Sequence, residues 1–377
     1  MDGACPSPGD VVAVAMSGGV DSSTAAAFML EAGCRVVGLT MLLSGDEAGT
    51  TTVGRARVVA GFLGIEHHVV DCRDPFLDRV LRPVWTEYAR GRTPNPCVLC
   101  NPGLKFGLLL EHARSIGARF LATGHHARLQ QRSGGTDAPV LLRGRDPAKD
   151  QSYFLARLAP EQRRAAVFPI GRMTKAEVRQ AARERRLPSA EAPESQDTCV
   201  VVRGDLDLRE GVFAETVRLR MNEEARPGRI VEVGTGRVVG RHRGVHLFTV
   251  GQRRGLGVSL GRRAHVVAID GAYGDVWVSA DPHDLLAGGL VATGVVWSGE
   301  AAPPGEGNPF ACEVQIRYRH RPVAAQVAPV GPDGADVRFQ DAVSAVTPGQ
   351  AAVFFRHDEV LGCGWIDRAA PLRVTGS

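Results

Sequence analysis

Lysine is nearly missing from this 377-residue chain. It occurs at Lys105, Lys149 and Lys175 and nowhere in the first hundred positions, and the rest of the 45 basic residues are arginines. Set against 41 acidic residues, these leave a formal charge of only +4, which excludes a strongly cationic body. The arginine bias is what a GC-rich coding sequence produces together with abundant Ala, Gly and Val, so only the placement of arginines carries information. No apolar stretch approaches the ~18 residues of a membrane span. Met1-Asp2-Gly3-Ala4-Cys5-Pro6 has neither the basic nor the apolar region of a signal peptide, so a cytosolic location is expected. Internal repeats and low-complexity tracts are also lacking. Eight cysteines in a cytosolic chain of this length do not suggest a disulfide scaffold. Cys97-x-x-Cys100 has no second CxxC to complete structural zinc of the usual kind, leaving half a metal site or a redox pair.

What the chain does have is ordinary globular composition, 44% hydrophobic and 23% charged, at a length that predicts two or three domains. Near its start, Val11-Val12-Ala13-Val14-Ala15-Met16 breaks into Ser17-Gly18-Gly19-Val20-Asp21-Ser22-Ser23 and then into an Ala-rich run to Leu30. This reads as strand, tight loop, helix. Gly18 and Gly19 permit positive φ and close approach of the backbone, and the following helix offers unpaired N–H groups and the positive end of its dipole, so the loop is a phosphate site. It is not a Walker A loop, which needs a closing Lys-Ser/Thr, nor a dinucleotide fingerprint, which needs a third spaced glycine.

Cys34-Arg35-Val36-Val37-Gly38-Leu39-Thr40-Met41-Leu42 predicts a second strand and hence a βαβ unit with a parallel sheet. Ser44 to Thr52 is polar and Gly-rich and reads as a mobile loop, followed by a helix from about Val53 to Leu63. A third strand covers His67 to Asp71, on which adjacent His67 and His68 point to opposite faces. Further helices are expected around Pro75 to Ala89, Leu104 to Ile116, Pro160 to Val167 and Thr174 to Glu184. Arg92 to Asn101 reads as a loop held extended by Pro94 and Pro96. A strand ending in Thr123-Gly124-His125 would face the same crevice as Ser17 to Ser22. Beyond about Asp207 short Val-rich runs separated by Gly, Pro and Asp predict small β domains and barrels.

The loop resembles the SGGxDS signature of PP-loop ATP pyrophosphatases, which cleave ATP between its α- and β-phosphates. With Arg92-Thr93-Pro94-Asn95-Pro96, Cys100-Asn101, Lys105-Phe106, Ala122-Thr123-Gly124-His125, Lys149-Asp150-Gln151-Ser152-Tyr153-Phe154, Ser195-Gln196-Asp197 before Cys199, Thr249 to Gly257, Arg317-Tyr318-Arg319 and Val346-Thr347-Pro348-Gly349-Gln350, the whole chain resembles the tRNA-specific 2-thiouridylases. That resemblance implies an α/β PP-loop domain of adenine-nucleotide α-hydrolase-like fold over residues 1–207. A small β domain would cover 208–266 and a β-barrel 267–377. It implies ATP and Mg²⁺ as cofactors, with Ala15, Met16, Ser17, Gly18, Gly19, Val20, Asp21, Ser22, Met41 and Gly124 at the nucleotide and Asp21 the carboxylate near the metal. Cys199 would carry a persulfide and Cys100 would be its partner. Asn95, Pro96 and Cys97 would surround the target base, and His125, Lys149, Asp150, Gln151, Arg317, Tyr318 and Gln350 would contact tRNA. A sulfur-carrier or desulfurase protein is the implied second partner.

One departure stands out, since many members carry Asp where this chain has Cys97. Cys97, Cys100 and Cys199 together offer three thiolates, and three-cysteine iron–sulfur sites occur in other PP-loop sulfur-transfer enzymes. An adenylating ligase or amidotransferase on the same loop remains open too, although nothing resembles a glutaminase domain. A non-catalytic RNA-binding protein would not need the intact loop and both cysteines.

Overall fold

β1 (Val11–Ala15) lies at the centre of a parallel sheet, and Val12, Ala13 and Val14 are fully buried. A strand covered on both faces has no polar side to show, which is why its sequence is continuously apolar. The computed structural model describes residues 6–131, 138–193, 212–298 and 308–372. Around β1 stand β2 (Arg35–Leu42), β3 (Glu66–Asp71) and β4 (Phe120–Thr123), in the order β3-β2-β1-β4 with the short strand Ala166–Val167 outside β4. All neighbours are parallel. The chain winds from β1 outward through β2 to β3 and then returns to the other side of β1. The crevice between the carboxyl ends of β1 and β4 is therefore the switch point where open parallel sheets bind ligands.

α1 (Val20–Glu31) buries Val20, Ala25, Ala26 and Ala27 on several sides. Small residues let it wedge between the sheet and the helix Lys175–Glu184, against Val178 and Ala182. That second helix opens on a reciprocal cap: Thr174 Oγ1 accepts from the Glu177 N–H, and Glu177 accepts from the Thr174 N–H at 2.7 Å.

Four local expectations change. The expected mobile loop at Ser44 to Thr52 is mostly helix: α2 runs Glu47–Leu63, because Asp46 caps it by accepting from Gly49 N–H and is itself held by Arg220 at 2.6 Å. The helix expected from Leu104 starts at Pro96, with Asn95 accepting from Cys97 N–H, so Cys97 and Cys100 sit on a helical turn (Pro96–Cys100) instead of a loop. It continues through a wide π segment, Asn101–Leu108, where Pro102 supplies no N–H to the ladder, and ends as Leu109–Ser115. The helix expected to reach Val167 stops at Ala165, because Ala166 and Val167 pair with β4.

The β part separates into two sheets. Strands Gly228–Glu232, Val238–His242, His265–Asp270 and Asp275–Ser279 form one sheet, so the boundary expected at 266 falls inside a strand and the break lies beyond Ser279. Six further strands close on themselves through pairing of Leu286–Trp297 with both Gly334–Ser344 and Glu359–Ala370, making a barrel. The barrel is fused to the first domain. Strands Ala127–Gln130 and Val140–Arg143 extend its sheet, with Leu142 paired to Glu359. Tyr153 donates to Ala351 O, and buried Arg163 donates to the carbonyls of Pro139, Leu158 and Ser298. Among the described residues no helix is long and apolar enough to cross a membrane.

Candidate functional site

The loop after β1 is built by its own hydroxyls. Ser22 Oγ accepts from Ser17 N–H at 3.2 Å and donates to Gly19 O, which Ser23 Oγ also meets at 2.8 Å. Gly18 has φ +71°, and a Cβ there would lie 2.6 Å from the Arg55 carbonyl carbon in α2. The loop thus needs glycine for its backbone angle and for its packing. From the neighbouring strand, Gly124 comes so close to α1 that a Cβ would stand 2.6 Å from both the carbonyl carbon of Asp21 and the N of Ser22. Since these are backbone atoms, nothing can swing aside. Gly124→Ala is expected to displace the first turn of α1 and weaken nucleotide binding or turnover roughly 10²-fold while the fold survives. Parallel nucleotide titration and thermal melting check this, and unchanged affinity refutes it.

Asp21, in the first turn of α1, is held by a residue the motifs did not mark. Lys175 Nζ stands 2.7 and 2.6 Å from its two carboxylate oxygens, and His126 Nε2 lies 3.4 Å from Oδ1. Burial pushes the Asp21 carboxyl upward, but the His126 hydrogen bond and the Lys175 charge outweigh it, and the net shift is downward. Asp21 is therefore ionised and paired. His126 is fixed by Gln151, whose Oε1 accepts from its N–H while the Gln151 N–H donates to its carbonyl. Its Nδ1 is buried without a hydrogen-bond partner among the described residues.

His125 points inward. It is 8% exposed, packs near the rings of Phe106 and Phe168, and meets Thr123 Oγ1 at 2.7 Å and Lys105 Nζ at 3.4 Å. Burial, then Lys105 and His126, hold its pKa well below the usual imidazole value. Because an ammonium can only donate, Nε2 accepts and Nδ1 carries the hydrogen.

Several expected contact residues have internal duties. Asp150 accepts from the N–H groups of Gly144 and Ser152 and pairs with Arg143 at 3.3 Å. Arg317 donates to Ala345 O, and Gln350 donates to Thr93 O. Arg92 bridges Glu87 to the carbonyl and carboxylate of Asp367, so Arg92-Thr93 joins the first domain to the barrel. Met41 and Cys100 pack on one cluster around Phe76 and Val80, which puts Cys100 beside the carboxyl end of β2. Cys97 lies three residues away on the same helical path. Cys199, with Ser195-Gln196-Asp197, lies outside the described residues, and among those described no group of three or more His, Cys, Asp or Glu could hold a metal.

The Tyr318 ring packs against Phe154 at a tilt of 42° with centroids 4.3 Å apart, which unites the Lys149-Asp150-Gln151 and Arg317-Tyr318-Arg319 segments. Beside them a groove of about 910 Å³ runs between the first domain and the barrel, lined by Arg128, Arg143, Arg145, Arg172, Arg319 and Arg321 among others. Arg128, Arg143 and Arg145 have carboxylate partners in Asp358, Asp150 and Glu177. Arg319 and Arg321 are exposed. Arg319 and Arg321 come from the barrel and the other four from the first domain, a convergence that no local stretch of sequence displays.

A parallel sheet with a glycine-serine loop at its switch point, followed by two β domains, defines a PP-loop nucleotide-dependent enzyme with appended β modules. The family models agree: "tRNA methyl transferase HUP domain" matches residues 10–203, "tRNA methyl transferase PRC-barrel domain" 217–280, and "Aminomethyltransferase beta-barrel domain" 287–366. Full-length relatives named tRNA-specific 2-thiouridylase MnmA include one from Syntrophotalea carbinolica, 44% identical over 94% of this chain and 98% of its own. One from Geobacter metallireducens is 44% identical over 95% and 97%, and one from Sorangium cellulosum 42% over 97% and 94%. The chain belongs to the MnmA-type tRNA-specific 2-thiouridylases, a family of sulfurtransferases.

Proposed function

We propose that the protein replaces the C2 oxygen of a tRNA wobble uridine with sulfur in two steps, both at the switch-point crevice. In the first, that oxygen attacks the α-phosphorus of ATP, the bond to the bridging oxygen breaks, and pyrophosphate leaves with the electron pair. In the second, a persulfide sulfur on Cys199 attacks C2 and AMP leaves. Cys100 then takes the Cys199 sulfur in a disulfide as the transferred sulfur is released. The observation that carries this reading is the head of α1, where the N-cap Gly19 makes no side-chain cap bond and the close-packed glycines Gly18 and Gly124 flank the first turn. The domain descriptions speak of methyl and aminomethyl transfer, but the pyrophosphate-type loop and the Cys100 position favour the thiolation named for the full-length relatives.

Each residue has a role that follows from its place. The loop N–H groups and Ser17 and Ser22 hydroxyls hold phosphate oxygens, and Met41 supplies an apolar wall. Asp21 fits Mg²⁺ that arrives with the nucleotide, since Mg²⁺ is usually held by one or two carboxylates plus phosphates and water, and it would neutralise phosphate charge there. The target base must leave its stack to reach this crevice, and Asn95 to Cys97 form the nearby helix start that receives it. The arginine groove takes the phosphate backbone. Tyr318 and Asp150 line that groove, with Lys149 and Gln151 flanking Asp150 in sequence, whereas His125 is buried against Thr123 and Lys105.

Incubation with unmodified tRNA, ATP and a sulfide donor, followed by nucleoside mass spectrometry, tests the function; 2-thiouridine with matching AMP is expected, and its absence with a competent donor refutes it. Arg319→Ala and Arg321→Ala test the groove. Each is expected to reduce the slope of log K against log salt for tRNA binding by about 1, without altering the nucleotide affinity. Unchanged slopes place the tRNA elsewhere.

A further inference from the structure

In a chain whose cationic positions are nearly all arginine, three lysines stand out. Their segments meet around His125 and His126, just beyond the carboxyl end of β4. Lys105 Nζ stands 3.4 Å from His125 Nε2. Lys149 closes the turn that begins at Asp146, by N–H donation to its carbonyl. The Asp146 carboxylate in turn receives the backbone N–H of Lys175 at 2.9 Å, and Lys175 Nζ sits on Asp21. The Lys175 side chain is 13% exposed and Asp21 is 32% exposed, so the pair faces the crevice with Asp21 on the open side.

The geometry points to Lys175 as a catalytic residue that carries the leaving pyrophosphate, with Asp21 keeping its ammonium in place until a phosphate arrives. This rests on the adenylation reading above. A carboxylate in the first turn of α1 occupies part of the anion site that the helix terminus and loop create, and it holds Lys175 where a phosphate oxygen would otherwise hold it. When the bond between the α-phosphorus and the bridging oxygen breaks, the electron pair goes to that oxygen. Lys175 meets the new charge by donating a hydrogen bond, with no proton changing owner. The Asp21 oxygens are released by the same movement for a metal that comes with the nucleotide. An ammonium suits this exchange because it is a compact charge whose three donors can pass from one acceptor to another. An arginine fork would lock both Asp21 oxygens in a bidentate pair and resist the handover. The backbone anchors stay put meanwhile: Thr174 and Glu177 cap the helix and Asp146 ties its first N–H, leaving only the Lys175 side chain to move.

Calorimetric titration with inorganic pyrophosphate and, separately, AMP tests the assignment, in magnesium buffer on the full chain as wild type, Lys175→Ala and Lys175→Arg. Lys175→Ala is expected to lose roughly 10- to 100-fold in pyrophosphate affinity. Its AMP affinity is expected to stay within about 2-fold, since only the phosphate contact is removed. Lys175→Arg is expected not to restore pyrophosphate binding. A wild type that binds pyrophosphate beside a Lys175→Ala variant that binds it equally overturns the role of Lys175 and leaves the adenylation reading standing. Parallel loss of both ligands with a lowered melting temperature also overturns it, by making Lys175 structural. A wild type that binds neither overturns the loop assignment and Lys175 with it.

Discussion

Asp21→Ala is expected to abolish both AMP release and thiouridine formation, lowering each by roughly 10²–10³-fold or more. Two losses combine. The variant removes the carboxylate that fits the metal, and it leaves the Lys175 ammonium, with a mostly buried side chain, facing His126 without its counter-charge. An uncompensated cation in a partly dry site moves toward the nearest carbonyl or draws in water, and in either place it no longer meets a phosphate. Asp21→Asn keeps the shape and removes the charge, and is expected to fail at the same step with less loss of stability. The measurement is tRNA-dependent release of AMP from labelled ATP, with thermal melting as the control for folding. AMP release by Asp21→Ala at the wild-type rate refutes the role given to this carboxylate.

The same pair shows where sequence stops being readable. Asp21 announces itself because loop, carboxylate and helix start are contiguous, and local chemistry dictates them. Lys175 is 154 residues away, at the start of a helix whose Thr174…Glu177 cap is visible but whose neighbour is not. The central strand was legible because burial on both faces leaves an unbroken apolar run, and the barrel because short Val-rich strands alternate with turns. The fusion of barrel and first domain was not, since Leu142 paired with Glu359 and Tyr153 bonded to Ala351 O have no local signature. For the same reason the bonds of Asp150 to Gly144 and Ser152, and of Gln350 to Thr93, have no local signature. Only the tertiary structure reveals which polar groups are already satisfied.

Cys199→Ser is expected to separate the two chemical steps, still releasing AMP and pyrophosphate with tRNA while forming no detectable 2-thiouridine. The reason is that activation asks for phosphate contacts and an extruded base, whereas displacement asks for a polarisable sulfur nucleophile that a hydroxyl does not replace. Cys100→Ser is expected to retain activation and displacement too and to stall sulfur release, leaving Cys199 joined to the tRNA base through a disulfide that mass spectrometry detects. Other described thiols are poor substitutes. Cys34, Cys72 and Cys363 are buried, and burial, aided by Asp71 at Cys72, pushes Cys72 up to about 11. Burial likewise pushes Cys363 and the half-buried Cys312 up to about 12. Cys72, Cys312 and Cys363 are thiols at neutral pH and Cys34 is buried, which leaves Cys97 and Cys100 on their helical turn as the candidate thiolates among the described residues. Normal thiolation by Cys199→Ser would therefore move the sulfur route onto that turn, and a Cys97→Ser, Cys199→Ser double variant would then be the one that loses it.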